Sequence, residues 1–369
     1  MDGSGPSGLA YNFDDQSRKS RATERVNVAE TKQIRPDVLE NAVRSIFVGS
    51  GLRPKDASVV ANSLVEADLR GVSSHGVVRV PAYVAGLRDG SINPRPSLDV
   101  VVEAGSRAVI DGDNGMGQVA AQRATELAIT LASEHGIGAV GLRRSRHCGA
   151  MAYWANQALA ADCIGIATTN AGLNMAPTGG RDKIVGNNPV AIAVPTNLTW
   201  PFVLDMATSV VAGGKLDVAA IRGEKIPLDW ATDQDGRPTD DALIGRKGLL
   251  LPVGGPKGYG LALILDVLAG VLTGARFGGG LGPPGSGQFF LAIKIDGFMP
   301  VREFKNRMDE VIDQLHTSSL APGSTRIYVP GEIEYEKFRA RSADGLPLET
   351  PIVDGLNRLL VEVGAAARL

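Results

Sequence analysis

The run Ala108-Val109-Ile110-Asp111-Gly112-Asp113-Asn114-Gly115-Met116-Gly117-Gln118-Val119-Ala120 passes from a short apolar stretch through a glycine-rich turn into a helical pattern. The same alternation then repeats. A helix is predicted over Val119 to Glu134, a strand over Ala139 to Leu142, a helix over Ala150 to Ala161 and a strand over Ile164 to Thr169. Strands alternating with helices of this length indicate an α/β layer structure.

Outward from this centre, strands are expected at Pro189 to Pro195, Phe202 to Asp205 and Gln288 to Ile295, and helices over Thr208 to Ala220 and Gly258 to Thr273. The turn-rich stretch Pro227 to Gly245, around Asp235-Gly236-Arg237-Pro238, reads as a surface excursion. Upstream, Pro36 to Val48 and Pro54 to Arg70 carry apolar residues at three- and four-residue intervals, each with proline near its start. Downstream, helices over Val301 to Leu315 and Pro351 to Val363 flank an extended Arg326 to Glu334. The N- and C-terminal helical parts are therefore expected to join around a central α/β insertion.

With 369 residues, 44% hydrophobic and 21% charged, the chain can bury a large core, and length suggests about two domains. A net charge of -2 gives no electrostatic reason to expect nucleic acid or an anionic membrane as partner. The longest apolar run, Tyr259 to Leu272, is broken by Asp266 and falls short of the roughly 20 residues that span a bilayer, so it reads as a buried helix. Two cysteines, Cys148 and Cys163, make neither a disulfide framework nor a metal-ligand spacing, which points to the cytoplasm. Residues 1–33 are polar, lack the apolar core of a signal peptide and read as a flexible tail.

Two glycine patterns invite a dinucleotide reading. Gly280-Leu281-Gly282-Pro283-Pro284-Gly285 has the spacing but not the strand-to-helix context. Gly115-Met116-Gly117 has the context, and the amides opening its helix could hold phosphate. The following strand, however, ends in Arg143-Arg144 with no acid for a ribose hydroxyl, so a turn that merely packs helix on strand stays open. A standard Rossmann domain is poorly supported.

Only four histidines occur, and two lie among glycine, serine and arginine: Ser73-Ser74-His75-Gly76 and Ser145-Arg146-His147-Cys148-Gly149-Ala150. Histidine is suited to proton transfer near neutral pH. Positions 75, 79 and 83 would share one helix face, presenting an imidazole, the Arg79 fork for a carboxylate and the Tyr83 phenol. Helix capping by His75 and His147 is the plain alternative. His135 and His316 read as structural helix ends. Asp205, at a strand end, could cap the next helix or orient a histidine. Lys257 could meet a cofactor phosphate or lie solvated in a loop.

Together, Asp68-Leu69-Arg70-Gly71, Ser74-His75-Gly76, Arg79, Tyr83, Gly112 to Gly117, His147, Gly149-Ala150, Gly186-Asn187-Asn188-Pro189, Leu204 to Ser209 and Gly255 to Leu261 make the chain resemble the malate/L-lactate dehydrogenase type 2 family, from about residue 34 to the end. That family includes ureidoglycolate and sulfolactate dehydrogenases and piperideine-2-carboxylate reductase. The resemblance implies an α/β fold with a non-Rossmann mixed-sheet cofactor domain (103–296). This would be inserted between helical parts (34–102 with 297–369) that form a second, substrate and dimerisation domain. It further implies intertwined homodimers, NAD or NADP as cofactor and a small 2-oxo or 2-hydroxy acid as partner; no metal is expected, since the sequence has no close His/Asp/Glu ligand cluster.

By position, the resemblance makes His75, His147, Ser74 and Asp205 catalytic and puts Arg79 and Tyr83 on the substrate. His147, Cys148, Gly149, Ala150, Asn170, Asp205, Met206, Ala207, Lys257, Pro330, Gly331 and Glu332 would line the cofactor. The implied reaction interconverts a malate-, lactate- or ureidoglycolate-like 2-hydroxy acid and its 2-oxo acid. Reduction of a cyclic imino acid is the first alternative and a non-catalytic nucleotide sensor the second. Cys148 stands where the family often has an aromatic residue, and Met151 and Trp154 where smaller residues or tyrosine are frequent, so substrate shape is expected to differ at this corner.

Overall fold

The computed structural model describes residues 30–280 and 286–369. The chain enters through β1 (Thr31–Ile34), paired antiparallel with Leu346–Glu349 near the other end. The predicted tail therefore ends earlier than residue 33, because these residues gain a strand partner; residues 1–29 lie outside the described ones, as do positions 281–285 of the second glycine pattern.

Helices α1 (Pro36–Gly49) and α2 (Pro54–Leu69) both begin on proline, whose missing N–H is one fewer unpaired donor in the first turn. Leu39, Ala42, Val43, Ile46 and Phe47 of α1 are all buried, a single apolar stripe at helical spacing. Two single 3₁₀ turns, Ser73–His75 and Val77–Arg79, lead into α3 (Val80–Arg88).

Next come β2 (Val100–Ala104), β3 (Arg107–Asp111), α4 (Gly117–His135), β4 (Ile137–Ser145), α5 (Met151–Gln157) and β5 (Cys163–Thr169). A small pair, β6 (Leu173–Met175) and β7 (Val185–Gly186), precedes β8 (Val190–Val194) and β9 (Phe202–Met206). The excursion holds α6 (Gly213–Arg222), β10 (Ala231–Thr232), α7 (Ala242–Lys247) and β11 (Leu249–Leu250). Then follow α8 (Pro256–Asp266), β12 (Ser286–Lys294), α9 (Val301–His316), α10 (Glu332–Asp344), β13 (Leu346–Glu349) and α11 (Thr350–Glu362).

The main sheet has the order β2-β3-β4-β12-β5-β8-β9 and is mixed: only β3 and β4 run parallel, joined by the α4 crossover. Because β12 and β8 run against their neighbours, β4, β5 and β9 all end on the same sheet edge. The buried face of α4 is mostly alanine (Ala120, Ala121, Ala124, Ala128, Ala132), which lets the helix lie close on the strands. A second core joins α1, α2 and α3 to β13 and α11, so residues from both ends of the chain pack together. Helix α9, in contrast, is tied to the sheet side through Lys305–Asp162 (2.7 Å) and Asn197–Asp309 (3.0 Å).

Four expectations are corrected. The helix expected from Thr208 starts at Gly213, because Thr208 and Val210 are drawn into extended hydrogen bonds with Val253 and Leu251. The extended stretch to Glu334 turns helical at Glu332; α10 is polar on nearly every side and gives no apolar period. The buried helix over Tyr259 to Leu272 loosens into a π-type turn at Val267–Val271 and leaves Ile264 52% and Leu272 60% exposed. Residues 75, 79 and 83 do not share one continuous helix, since the two 3₁₀ turns intervene. No helix among the described residues is long and apolar enough to cross a membrane.

Candidate active site

A cavity of about 830 Å³ opens at the shared edge of β4, β5 and β9. One wall is the His75 turn; the others are Ser145–Tyr153, Thr169–Leu173, Val203–Ala207 and Pro330-Gly331. A deep recess with few polar groups where strands end is the usual place for a small-molecule site.

The two histidines meet there. Their rings stack with centroids 5.3 Å apart and planes 24° from parallel. His147 Nδ1 lies 2.5 Å from Tyr83 Oη and takes the Gly149 N–H at 3.3 Å. A backbone N–H can only donate, so Nδ1 is an acceptor and the neutral ring carries its proton on Nε2. His75 Nδ1 lies 2.9 Å from Ser74 Oγ, a hydroxyl that can accept from it.

The His75 turn is fixed from behind. Buried Asp68 accepts the Val77 N–H at 2.8 Å, and Gly76 is pressed so closely on that carboxylate that a Cβ would overlap it. Burial raises the Asp68 carboxyl to about 6. Arg79 Nε donates to the Ser74 carbonyl at 2.6 Å, closing the turn and bringing its charge towards both imidazoles.

The glycine turn before α4 has a packing role. A Cβ on Gly117 would run into the carbonyls of Arg146 and His147, so the residue lets the helix start abut the histidine loop. Of the two readings of Gly115-Met116-Gly117, the geometry favours the packing one.

Enclosure in the cavity pushes His75 down to about 4, helped by Arg79. Enclosure, then His75 and Arg79, push His147 down to about 3. Both rings are neutral at pH 7. Although His147 is accessible from the cavity, it is surrounded by protein, and it is this enclosure that disfavours the charged ring. Burial raises the Tyr83 phenol, which stays protonated and able to donate.

Asp205 lines the cavity and is raised to about 6 by its enclosure; its carboxylate accepts the Ala152 N–H at 3.1 Å and so caps α5, with no hydrogen bond to either histidine. The Cys148 thiol is buried and pushed up to about 12, which makes it a small inert wall group beside Trp154. Asn170 is in the wall, but its amide is spent on Asp266, Arg276 and Gly287.

Met206, Ala207, Gly149 and Ala150 are wall residues of the cavity. Arg79 and Tyr83 stand behind the histidines and do not face the cavity, and Lys257, at the start of α8, also lies outside its lining. Pro330-Gly331 lines it, whereas the Glu332 carboxylate points away and is held by His316 (3.0 Å), the Val329 N–H (3.2 Å) and Arg326. Sequence reading missed Glu66, Arg70, Tyr153 and Glu334 in the wall, because they occupy ordinary surface positions of helices. Among the described residues no three His, Cys, Asp or Glu side chains cluster as a metal site.

The profile of the malate/L-lactate dehydrogenase family matches residues 34–357. The chain belongs to the malate/L-lactate dehydrogenase family. L-sulfolactate dehydrogenase of Methanocaldococcus jannaschii is 40% identical over 337 residues, covering 90% of this chain and 97% of that one. Its solved structure superposes with a TM-score of 0.85, at 39% identity over 90% of this chain and 98% of that one. Malate dehydrogenase from Entamoeba histolytica reaches a TM-score of 0.88 at 30% identity, over 91% and 99% of the two chains. Δ1-piperideine-2-carboxylate reductase from Pseudomonas syringae reaches 0.80 at 29% identity, over 89% and 100%. Two dehydrogenases and this reductase thus resemble the chain in fold.

Proposed function

We propose that the chain interconverts a 2-hydroxy acid and its 2-oxo acid with a nicotinamide cofactor. The observation that carries this is the stacked pair of neutral imidazoles at one end of the cavity, 5.3 Å apart. The wall suits such a cofactor: peptide groups and small side chains of Gly149–Met151, Ala171–Leu173, Asp205–Ala207 and Pro330-Gly331 offer a surface for a flat ring. Bound there, the nicotinamide would supply or accept the hydride.

The remaining chemistry falls to side chains. Reduction builds negative charge on the substrate oxygen, which the His147 Nε2–H is suited to stabilise, and the proton that completes the hydroxyl would come from His75 after its ring takes one up from solvent. Oxidation needs a base, and His75 fills that role when its Nδ1–H donates to Ser74 and leaves Nε2 free. Arg79 lies outside the cavity lining with its Nε on the Ser74 carbonyl, so it would meet the substrate carboxylate by swinging off that carbonyl towards the histidine pair.

NAD fits better than NADP. Arg143 and Arg144 are paired with Asp111 at 3.2 Å, Arg181 with Asp235 at 3.5 Å, and Arg146 is held by the Ser91 carbonyl, while Glu66 and Glu334 add carboxylates to the wall. Glu66 is itself paired with Arg70 at 2.8 Å, so the like charge that a 2′-phosphate would meet is that of Glu334. Initial rates with NADH should exceed those with NADPH by about tenfold or more in kcat/KM; equal rates would exclude this choice.

The deciding assay follows absorbance at the reduced-nicotinamide band while the protein is offered NADH or NADPH with oxaloacetate, pyruvate, 2-oxoglutarate, oxalurate, sulfopyruvate or piperideine-2-carboxylate. Consumption with a keto acid supports the proposal. Consumption with the imine alone selects imine reduction, for which the same Nε2–H could serve a C=N nitrogen. Neither turnover nor cofactor binding would leave a sensor.

Because both imidazoles are already neutral, kcat/KM for hydroxy-acid oxidation should stay level from pH 8 to below 6. It should fall only as His75 gains a proton near 4. An inflection near 6 that disappears in Asp205→Asn belongs to Asp205. One near 6.5 that survives it would contradict the depressed imidazoles.

A homodimer is supported by the apolar residues left exposed along α8, and the cytoplasm by two free, buried cysteines. The division into 34–102 with 297–369 and 103–296 is part of the same proposal, except that α9 is tied to the sheet side and would go with 103–296.

A further inference from the structure

Gln118 is fully buried, yet neither its amide nitrogen nor its amide oxygen has a partner at hydrogen-bond distance. Native proteins rarely keep such a group without a use. It is the second residue of α4 and directly follows Gly117, whose contact with the His147 loop fixes the backbone here. The Gln118 nitrogen lies 4.0 Å from where a Cβ on Gly149 would stand, and its amide faces the Tyr83 phenol. It therefore stands next in line behind the contact of Tyr83 Oη with His147 Nδ1 at 2.5 Å.

We propose that Gln118 is a positioning residue for His147: its amide N–H orients the Tyr83 hydroxyl so that this hydroxyl donates to Nδ1 and keeps the imidazole proton on Nε2. A phenol has one proton. If the Gln118 nitrogen faces Oη, the phenol lone pair is engaged and its O–H turns to the imidazole. If the Gln118 oxygen faces Oη, the O–H turns away from the ring and only the weaker Gly149 N–H, at 3.3 Å, remains on Nδ1. No bond is made or broken in this arrangement. It decides which nitrogen of His147 presents hydrogen to the cavity.

The kinetic consequence rests on the dehydrogenase reading, but the tautomer does not, so the test has two arms. In full-length protein labelled with ¹⁵N-histidine at neutral pH, four side chains give a spectrum that His147→Asn assigns by subtraction. The wild type should show His147 as the single Nε2–H tautomer, and Gln118→Leu should turn it into a mixture. In the kinetic arm, Gln118→Leu should lower kcat about tenfold, within the range for residues that orient a functional group from behind. The KM for NADH should stay within about twofold.

In a Tyr83→Phe background the same substitution should cost nothing further, since it acts through the hydroxyl. Gln118→Met serves if the leucine variant does not fold. An Nδ1–H tautomer in the wild type, an unchanged His147 spectrum in the variants, or losses that add in the double variant would each overturn the proposal. Absence of turnover with every substrate would count against the dehydrogenase reading alone, because the spectrum still decides the tautomer.

Discussion

His75→Asn should lower kcat for 2-hydroxy-acid oxidation by about 10²–10³-fold, the usual contribution of a positioned proton acceptor. Asparagine can fill the space beside Ser74 Oγ, 2.9 Å from the native Nδ1, but it cannot take up a proton. His147→Asn should cost about 10²-fold in either direction, the range for one donor to a developing oxyanion. Asparagine keeps an N–H, yet it is shorter and loses the contact with Tyr83 that aims the ring. Both variants should bind NADH nearly as well as the parent. Steady-state kinetics with the best substrate decides the matter, and turnover within about threefold of wild type for both would remove the histidines from the chemistry.

The second large effect is expected at Gly117, which carries no functional group. In Gly117→Ala the new methyl group meets two peptide carbonyls, those of Arg146 and His147, and backbone cannot swing aside as a side-chain tip can. Overpacking of this kind costs about 1–3 kcal/mol. The melting temperature should fall by several degrees, and kcat should drop by about tenfold or more because the carbonyl pushed aside is that of His147 itself. A variant with unchanged melting temperature and activity would mean that the α4 start does not set the histidine loop. Gly90→Ala is the control: its φ is +77°, with nothing within 4 Å of the new atom, so it carries backbone strain without a collision at the site.

The α/β alternation and the paired N-terminal helices were legible, because apolar spacing in α1, β4, β5 and β12 reports local periodicity, whereas strand direction is not local and the mixed sheet was expected only from the family resemblance. Helix α10 was not, since Glu332 to Asp344 satisfies most of its polar side chains in solvent and has little apolar period to detect. The nearness of His75 and His147 was legible only through the family resemblance: 72 positions separate them, and no local pattern encodes contact at that range. Gln118 escaped notice for a related reason. A glutamine near a helix start reads as surface until the fold buries it. Glu332 misled in the opposite direction, since its backbone neighbours line the cavity while its carboxylate turns towards Arg326 and His316.

The two imidazoles descend from separately packed cores, His75 from the turn after α2 and His147 from the end of β4. Each core holds its own ring firmly, but their separation is decided at the seam between them. Activity and stability can therefore drift apart: a change at the seam could detune the reaction while every melting curve stayed the same, and a change deep in either core could weaken the protein without altering which substrate it prefers. Selection has two dials here, and only one of them touches the ligand.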